Sequence, residues 1–334
     1  MRAWLMDSYQ GIDKLRLGKV SDPHPGPADV LVKVKYAALN PADAFLAQGL
    51  YPAKPTLPHI LGRDGVGEVE LVGSRVGNIR VGDTVGILRC EIGVEIPGTL
   101  AEKVVVPTAS LVRIPTGWSQ EEMAGAPLVF LTAWQALTQW SDPPTPPAKR
   151  SVLLVTGASG GVGLASVLLG KSMDLIIVAL SRDAEKRTKL MALGADFVFD
   201  PEDRMLAKSI SAAISPKQVA LAIDCVGGNL FTRLITVLGQ AGRISVVGRS
   251  GGTVSEFNTA TLLFRRIRIG GVSVGDYTAP AALAAWKEIV GRLETVGHRP
   301  QIDSIVPFEE VKKGFARLAQ GPMGKVLVRV ADGD

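Results

Sequence analysis

Cysteine is almost missing from this sequence. Cys90 and Cys225 are the two in 334 residues, too few for a disulfide framework. Histidine is nearly as scarce: His24, His59 and His298 are the three present, and each reads as an ordinary loop residue. No apolar run approaches the length of a membrane span. The first twenty residues mix charge with short apolar pieces, so no secretory signal shows. The net charge is +5 with a pI of 9.2, a mild basic balance suited to anionic cofactors. Lysine and arginine nevertheless form no dense run and no stripe with aromatics, which argues against a nucleic-acid partner. The expectation is a cytoplasmic protein with no membrane and no nucleic-acid partner.

What is present suits an α/β protein with a sizeable core: 46% hydrophobic and 21% charged residues. The length favours about two domains. The organising stretch runs from Ser151 to Gly170. Val152-Leu153-Leu154-Val155 is apolar and short, as in a fully buried strand. A glycine-rich turn follows, then a segment able to be helical from about Val162. Gly157, Gly160 and Gly163 allow a tight turn and a close approach to a diphosphate, and the first helical N–H groups face the anion. Ala158 stands where the usual fingerprint has its first glycine. Ser159, Gly160, Gly161 and Val162 are therefore candidate cofactor contacts. A glycine-rich turn without a ligand is the alternative.

The next apolar run, Leu175 to Leu180, ends in Ser181-Arg182. NAD-binding folds carry an acid about 20 residues past the glycines. Here a hydroxyl and a guanidinium stand there, with Lys186 one turn on. Such a set suits a 2′-phosphate, because arginine offers paired donors and a fixed charge. NADPH is the expected cofactor. Asp183 reads as the N-cap of a helix through Leu190, and Arg182 has the alternative of a solvated surface charge.

Before residue 123 the chain is β-rich, with short strand candidates at Val30–Lys35, Gly65–Glu70, Gly82–Ile87 and Leu100–Val106 among glycine and proline turns. Ser119 opens a helical stretch to Leu137 that Pro127 breaks or kinks. From Ser151 onward strands and helices alternate, which argues a parallel sheet with ligands at the carboxyl ends of its strands. This selects Cys225 and Val226, and Gly248 and Arg249, as further cofactor contacts. No internal repeat is visible.

The order of motifs resembles the medium-chain dehydrogenase/reductase superfamily over nearly the whole chain. The matching residues include Asn40-Pro41-Ala42-Asp43, Gly49-Leu50-Tyr51-Pro52, Leu61-Gly62-Arg63-Asp64-Gly65, Leu131-Thr132-Ala133, the glycine turn, Asp224-Cys225-Val226-Gly227-Gly228 and Gly324-Lys325-Val326. The zinc-free branches are most similar: quinone oxidoreductases of the zeta-crystallin type and 2-enoyl thioester reductases. The resemblance implies a GroES-like β-rich catalytic domain over 1–123 and 276–334, and a Rossmann doubly wound parallel-sheet domain over 124–275. Zinc members carry a cysteine where Asn40 stands and a histidine where Arg63 stands. Asp43, Asp64 and His59 offer acidic and imidazole donors, but Arg63 beside them repels a cation. No metal is expected.

The activity implied is hydride transfer from NADPH to a quinone or an α,β-unsaturated carbonyl, with a small-molecule electrophile as partner. Tyr51, Asn40 and Thr132 are the catalytic candidates by resemblance, and Lys325 resembles the family lysine near the cofactor. Tyr51 has a packed loop aromatic as its alternative, and Asn40 a turn-shaping role. Reduction of enoyl thioesters, or a catalytically quiet NADPH-binding protein like the crystallins, are the rival functions. A homodimer through the edge strand near Arg268–Val274 is expected by resemblance. Arg182→Ala should weaken NADPH by about 1–3 kcal/mol, the range for hydrogen bonds to charged groups, and leave NADH nearly unchanged. Dissociation constants for both cofactors check this; equal loss for both overturns the 2′-phosphate role.

Overall fold

The computed structural model describes residues 1–88, 91–253 and 256–331. Cys90 lies outside them. The chain divides into two compact units. The first comprises Met1–Leu128, Gly275–Lys287 and Arg299–Asp334, and the second Val129–Val274 and Glu288–His298. One is β-rich and the other is built on a parallel sheet, the α/β pairing that the sequence pattern implies.

The strand Asp29–Ala38 is the spine of the first unit. Val30, Val32 and Val34 are buried along one face of the strand, while the other face carries both the buried Leu31 and the exposed Lys33. It pairs antiparallel with Asp64–Val72 along one side. Its other side takes Lys103–Pro107 at the start and Lys325–Arg329 at the end. Gly67 permits the first pairing, since a Cβ there would sit 2.1 Å from the Lys33 carbonyl oxygen. Lys325–Arg329 also pairs in parallel with Ile302–Pro307, so the last strand of the chain is held between two others. A smaller sheet joins Arg16–Lys19, Arg2–Met6 and His59–Ile60. His59 is therefore a buried strand residue paired with Met6, not a loop histidine; two residues are too short a strand for periodicity to reveal.

Pro127 does divide the helical stretch after Ser119. Gln120–Gly125 forms one helix, capped by the Ser119 hydroxyl, and Pro127–Thr138 the next. Proline lacks the N–H that the first helix would need to continue, but it is well suited to begin the second.

The second unit carries six parallel strands in the order Phe197–Phe199, Ile176–Leu180, Val152–Val155, Val219–Asp224, Leu238–Val246, Arg268–Gly271. Counted along this unit the order is 3-2-1-4-5-6, the doubly wound arrangement. It reverses between Val152–Val155 and Val219–Asp224, where such sheets bind ligands. Every residue of Val152–Val155 and Ile176–Leu180 is buried, as helix-covered parallel strands require. The helix Gly161–Ser172 starts directly from the glycine turn, with Gly160 as its N-cap. Gly157 has φ 55°, a left-handed conformation favouring glycine. Gly163 is needed for a different reason: a Cβ there would lie 2.2 Å from the Gly157 carbonyl oxygen.

Gly163→Ala should therefore cost about 1–3 kcal/mol of stability, the usual range for overpacking, and impair nucleotide binding. Gly77→Ala, where an added Cβ meets nothing within 4 Å, is the control and should change stability by less than about 1 kcal/mol. Thermal melts with and without NADPH check both.

Candidate active site

The first unit gathers a buried polar cluster from distant parts of the chain. Asn40 follows the strand Asp29–Ala38 and is the N-cap of the helix Pro41–Ala47. Asp64 opens the next strand of the sheet, and Lys325 opens the last. Asn40, Asp64 and Lys325 are 3%, 1% and 5% exposed, so none can leave its polar groups to water. They satisfy one another. The Lys325 ammonium donates to Asn40 Oδ1 at 2.6 Å and to Asp64 Oδ2 at 3.2 Å. Asn40 Nδ2 donates to Asp64 Oδ2 at 3.0 Å and to the Ala38 carbonyl at 3.2 Å. Asp64 Oδ1 accepts the Leu128 backbone N–H at 3.1 Å.

Beside this cluster lie Asp43, Arg63 and Tyr51. The Asp43 carboxylate accepts the Asn40 backbone N–H at 2.9 Å, while its Oδ1 is buried without a partner. Burial pushes its pKa up to about 6, against the pull of Arg63 and Lys325. Arg63 Nη1 donates to the Tyr51 hydroxyl at 3.2 Å, and its guanidinium carbon lies 5.7 Å from the centre of that ring. The Tyr51 loop is pinned by Lys54, whose ammonium donates to the Gly49 and Tyr51 carbonyls at 2.7 Å each. Asn40 thus serves both as a helix cap and as a member of the cluster. His59 is not part of it: burial lowers its pKa, and its Nε2 is buried without a partner. Among the described residues no group of three His, Cys, Asp or Glu side chains is placed to hold a metal ion. Thr132 belongs to the other unit, half-buried on the helix Pro127–Thr138.

In the second unit the predicted cofactor residues converge on the carboxyl ends of the strands. Ser159, Gly160, Gly161 and Val162 form the turn and first helical residues after Val152–Val155, all half-buried. Ser181 is buried at the end of its strand and Arg182 is exposed beside it. Asp183 caps the helix Ala184–Ala192 by accepting the Lys186 N–H at 2.9 Å. Cys225 and Val226 follow Val219–Asp224; Gly248 and the exposed Arg249 follow Leu238–Val246. Desolvation, with Asp224 adjacent, pushes the Cys225 thiol pKa up, which disfavours its thiolate.

With this geometry in hand, the likeness to known proteins can be read. Residues 26–116 match the family model described as alcohol dehydrogenase GroES-like domain, and residues 161–290 the one described as zinc-binding dehydrogenase. A quinone oxidoreductase of Lama guanicoe is 29% identical over 337 aligned positions, covering 98% of this chain and 97% of that protein. The chain belongs to the medium-chain dehydrogenase/reductase superfamily, in its quinone oxidoreductase branch. An acryloyl-coenzyme A reductase of Sulfurisphaera tokodaii is 28% identical to this dehydrogenase/reductase, covering 94% of the chain and 96% of that protein. A solved structure of an NAD-dependent alcohol dehydrogenase shares 29% identity at a TM-score of 0.90, covering 99% of this chain and 100% of that one. Membership makes the chain an oxidoreductase of a nucleotide-binding family.

Three features of this dehydrogenase/reductase escaped the sequence. Asp224 is fully buried; its Oδ1 accepts the Thr156 hydroxyl at 2.7 Å and the Val226 and Gly227 N–H groups at 3.1 Å each. It ties the two strand ends that flank the ligand-binding crevice of this sheet. A carboxylate closing an apolar strand and followed by two glycines was the available signal. Arg187 braces the second strand end, donating to the Ser181 and Arg182 carbonyls at 2.9 Å each and to Asp200 at 3.2 Å. The pairing of Arg63 with Tyr51 had no signal in spacing.

The raised pKa of Asp43 carries a sign. A carboxyl group with a folded pKa above its ordinary 3.8 stabilises the fold below that value, and the contribution is lost as pH rises through about 6. Asp43→Asn keeps an acceptor for the Asn40 N–H and removes the ionisation. The variant should gain about 2–3 kcal/mol relative to wild type between about pH 4 and pH 7, at about 1.4 kcal/mol per pH unit. Denaturant melts across that range check it; a difference independent of pH contradicts it.

Proposed function

We propose that this protein is a zinc-independent reductase that uses NADPH to reduce a quinone or an α,β-unsaturated carbonyl compound. One observation carries the reading: the Lys325 ammonium hydrogen-bonds to Asn40, which stands where zinc relatives carry a cysteine, and to Asp64. A zinc ion does not fit this donor set. It needs three or four thiolate, neutral imidazole or carboxylate ligands. Here an amide oxygen is already taken by an ammonium, and a guanidinium stands in the place of the histidine. The reaction is then best directed at an acceptor that needs no Lewis acid, one whose incoming charge delocalises into an enolate or quinol.

Bound NADPH supplies the hydride; the chain's own residues bind, orient and protonate. The N–H groups of the turn Ser159–Val162 and the start of the helix after it suit the diphosphate. Ser181, Arg182 and Lys186 suit the 2′-phosphate. Tyr51 accepts the Arg63 N–H through its oxygen, which leaves its own O–H free to donate to a substrate carbonyl.

The similarity to an acryloyl-coenzyme A reductase supports a second reading within the same chemistry, reduction of a 2-enoyl thioester. Steady-state rates with NADPH against a quinone, a short enone and crotonyl-CoA separate them: the first reading expects the quinone or enone to turn over fastest. Tyr51→Phe should lower kcat at least roughly tenfold if the phenol transfers the proton. An unaltered kcat returns Tyr51 to loop packing.

A further inference from the structure

Arg63 is a cation without a counter-ion in contact. Among the described residues no carboxylate lies within ion-pair distance of its guanidinium, and its one hydrogen bond there is to the Tyr51 hydroxyl at 3.2 Å. Its Nε is buried with no partner at all. Asp43 acts on it only through the field, although its own Oδ1 is also buried and unpartnered. A half-buried charge left in this state is costly unless an anion meets it. Lys325 differs, since it is spent on Asn40 and Asp64. The loop that carries Tyr51 is held by Lys54, and Tyr9 adds a hydrogen bond to the Pro55 carbonyl at 2.7 Å. The guanidinium and the phenol are thus two donors fixed side by side, with N–H and O–H groups to spare.

We infer that Arg63 is a catalytic residue which, with the Tyr51 hydroxyl, binds the oxyanion that develops on the acceptor carbonyl. The inference rests on the reading of the chain as a reductase of activated carbonyl compounds. Hydride from NADPH forms the new C–H bond at the β-carbon of the acceptor. The C=C π pair then becomes the enolate C=C, and the carbonyl π pair moves to oxygen. That oxygen gains the negative charge that Arg63 and Tyr51 face. A proton from the Tyr51 hydroxyl, replaced from water, completes the saturated carbonyl compound after tautomerisation. With a quinone, one hydride from NADPH and one proton from the Tyr51 hydroxyl, replaced from water, give the quinol. Charge that exists only as the hydride arrives is the kind a preorganised donor pair lowers most.

The test uses Arg63→Met and Arg63→Lys in the full-length protein, each first checked for its melting temperature and NADPH affinity. Loss of one oxyanion donor typically costs roughly a hundredfold in kcat, so Arg63→Met should lose about that factor in kcat with a short enone, with NADPH affinity unchanged. Arg63→Lys keeps the charge without the fork and should fall between. A second readout needs no turnover: para-nitrophenol titrated into the NADP⁺-loaded protein. Wild type should bind the phenolate in preference to the phenol, seen as its absorbance appearing at lower pH, and Arg63→Met should lose that preference. Unchanged kcat in Arg63→Met, or undiminished phenolate binding, overturns the assignment. Phenolate binding that depends on Arg63 in a wild-type protein reducing none of the acceptors would support the oxyanion site and overturn the acceptor reading instead.

Discussion

The contact on which the first unit depends is the ammonium of Lys325 held between an amide and a carboxylate. An ion pair at this depth is weak evidence of net stability, because desolvating both charges offsets most of their attraction. Its integrity is another matter. Removing one partner would strand a buried charge at about 3–5 kcal/mol. The contact therefore fixes three chain segments together: the end of Asp29–Ala38, the start of Asp64–Val72 and the start of Lys325–Arg329. It also decides the electrostatics around it. With Asp64 committed to Lys325 and Asn40, the remaining acid, Asp43, is left facing burial with only distant cations, and its pKa rises to about 6.

The second unit solves a similar problem with one carboxylate and no cation. Asp224 collects a hydroxyl and two backbone N–H groups, which is enough to satisfy a fully buried acid. In doing so it holds Val152–Val155 and Val219–Asp224 in register at the point where the strand order reverses. The positive φ values of Gly157, Gly227 and Gly228 bring backbone, rather than side chains, to the crevice that a dinucleotide needs.

How much of this was legible in the sequence differs between the two units. Parallel strands covered on both faces write themselves as continuous apolar runs, so Val152–Val155, Ile176–Leu180 and Val219–Asp224 could be found almost residue by residue. The first unit has short strands whose pairing crosses the whole chain. Arg2–Met6 and His59–Ile60 gave no usable period, and His59 was misplaced in a loop as a result. Asn40, Tyr51 and Lys325 were legible by resemblance, but their relation was not. Lys325 lies 285 positions from Asn40 and 261 from Asp64; only the sheet register brings them together. Asp43 and Asp64 were visible in the sequence as parts of family motifs and as possible metal donors, with no role in a polar cluster. That Lys325 pairs with one of them while burial raises the pKa of the other is a property of packing, which no local pattern records.

The proposal at the centre of the account is that the cluster of Asn40, Asp64 and Lys325 works without a zinc ion. Metal analysis of the purified protein, paired with its NADPH-dependent rate before and after exhaustive chelation, tests it most directly. The account predicts zinc far below one ion per chain and a rate unchanged by the chelator. One zinc per chain, lost together with the activity and restored with it, would contradict the account.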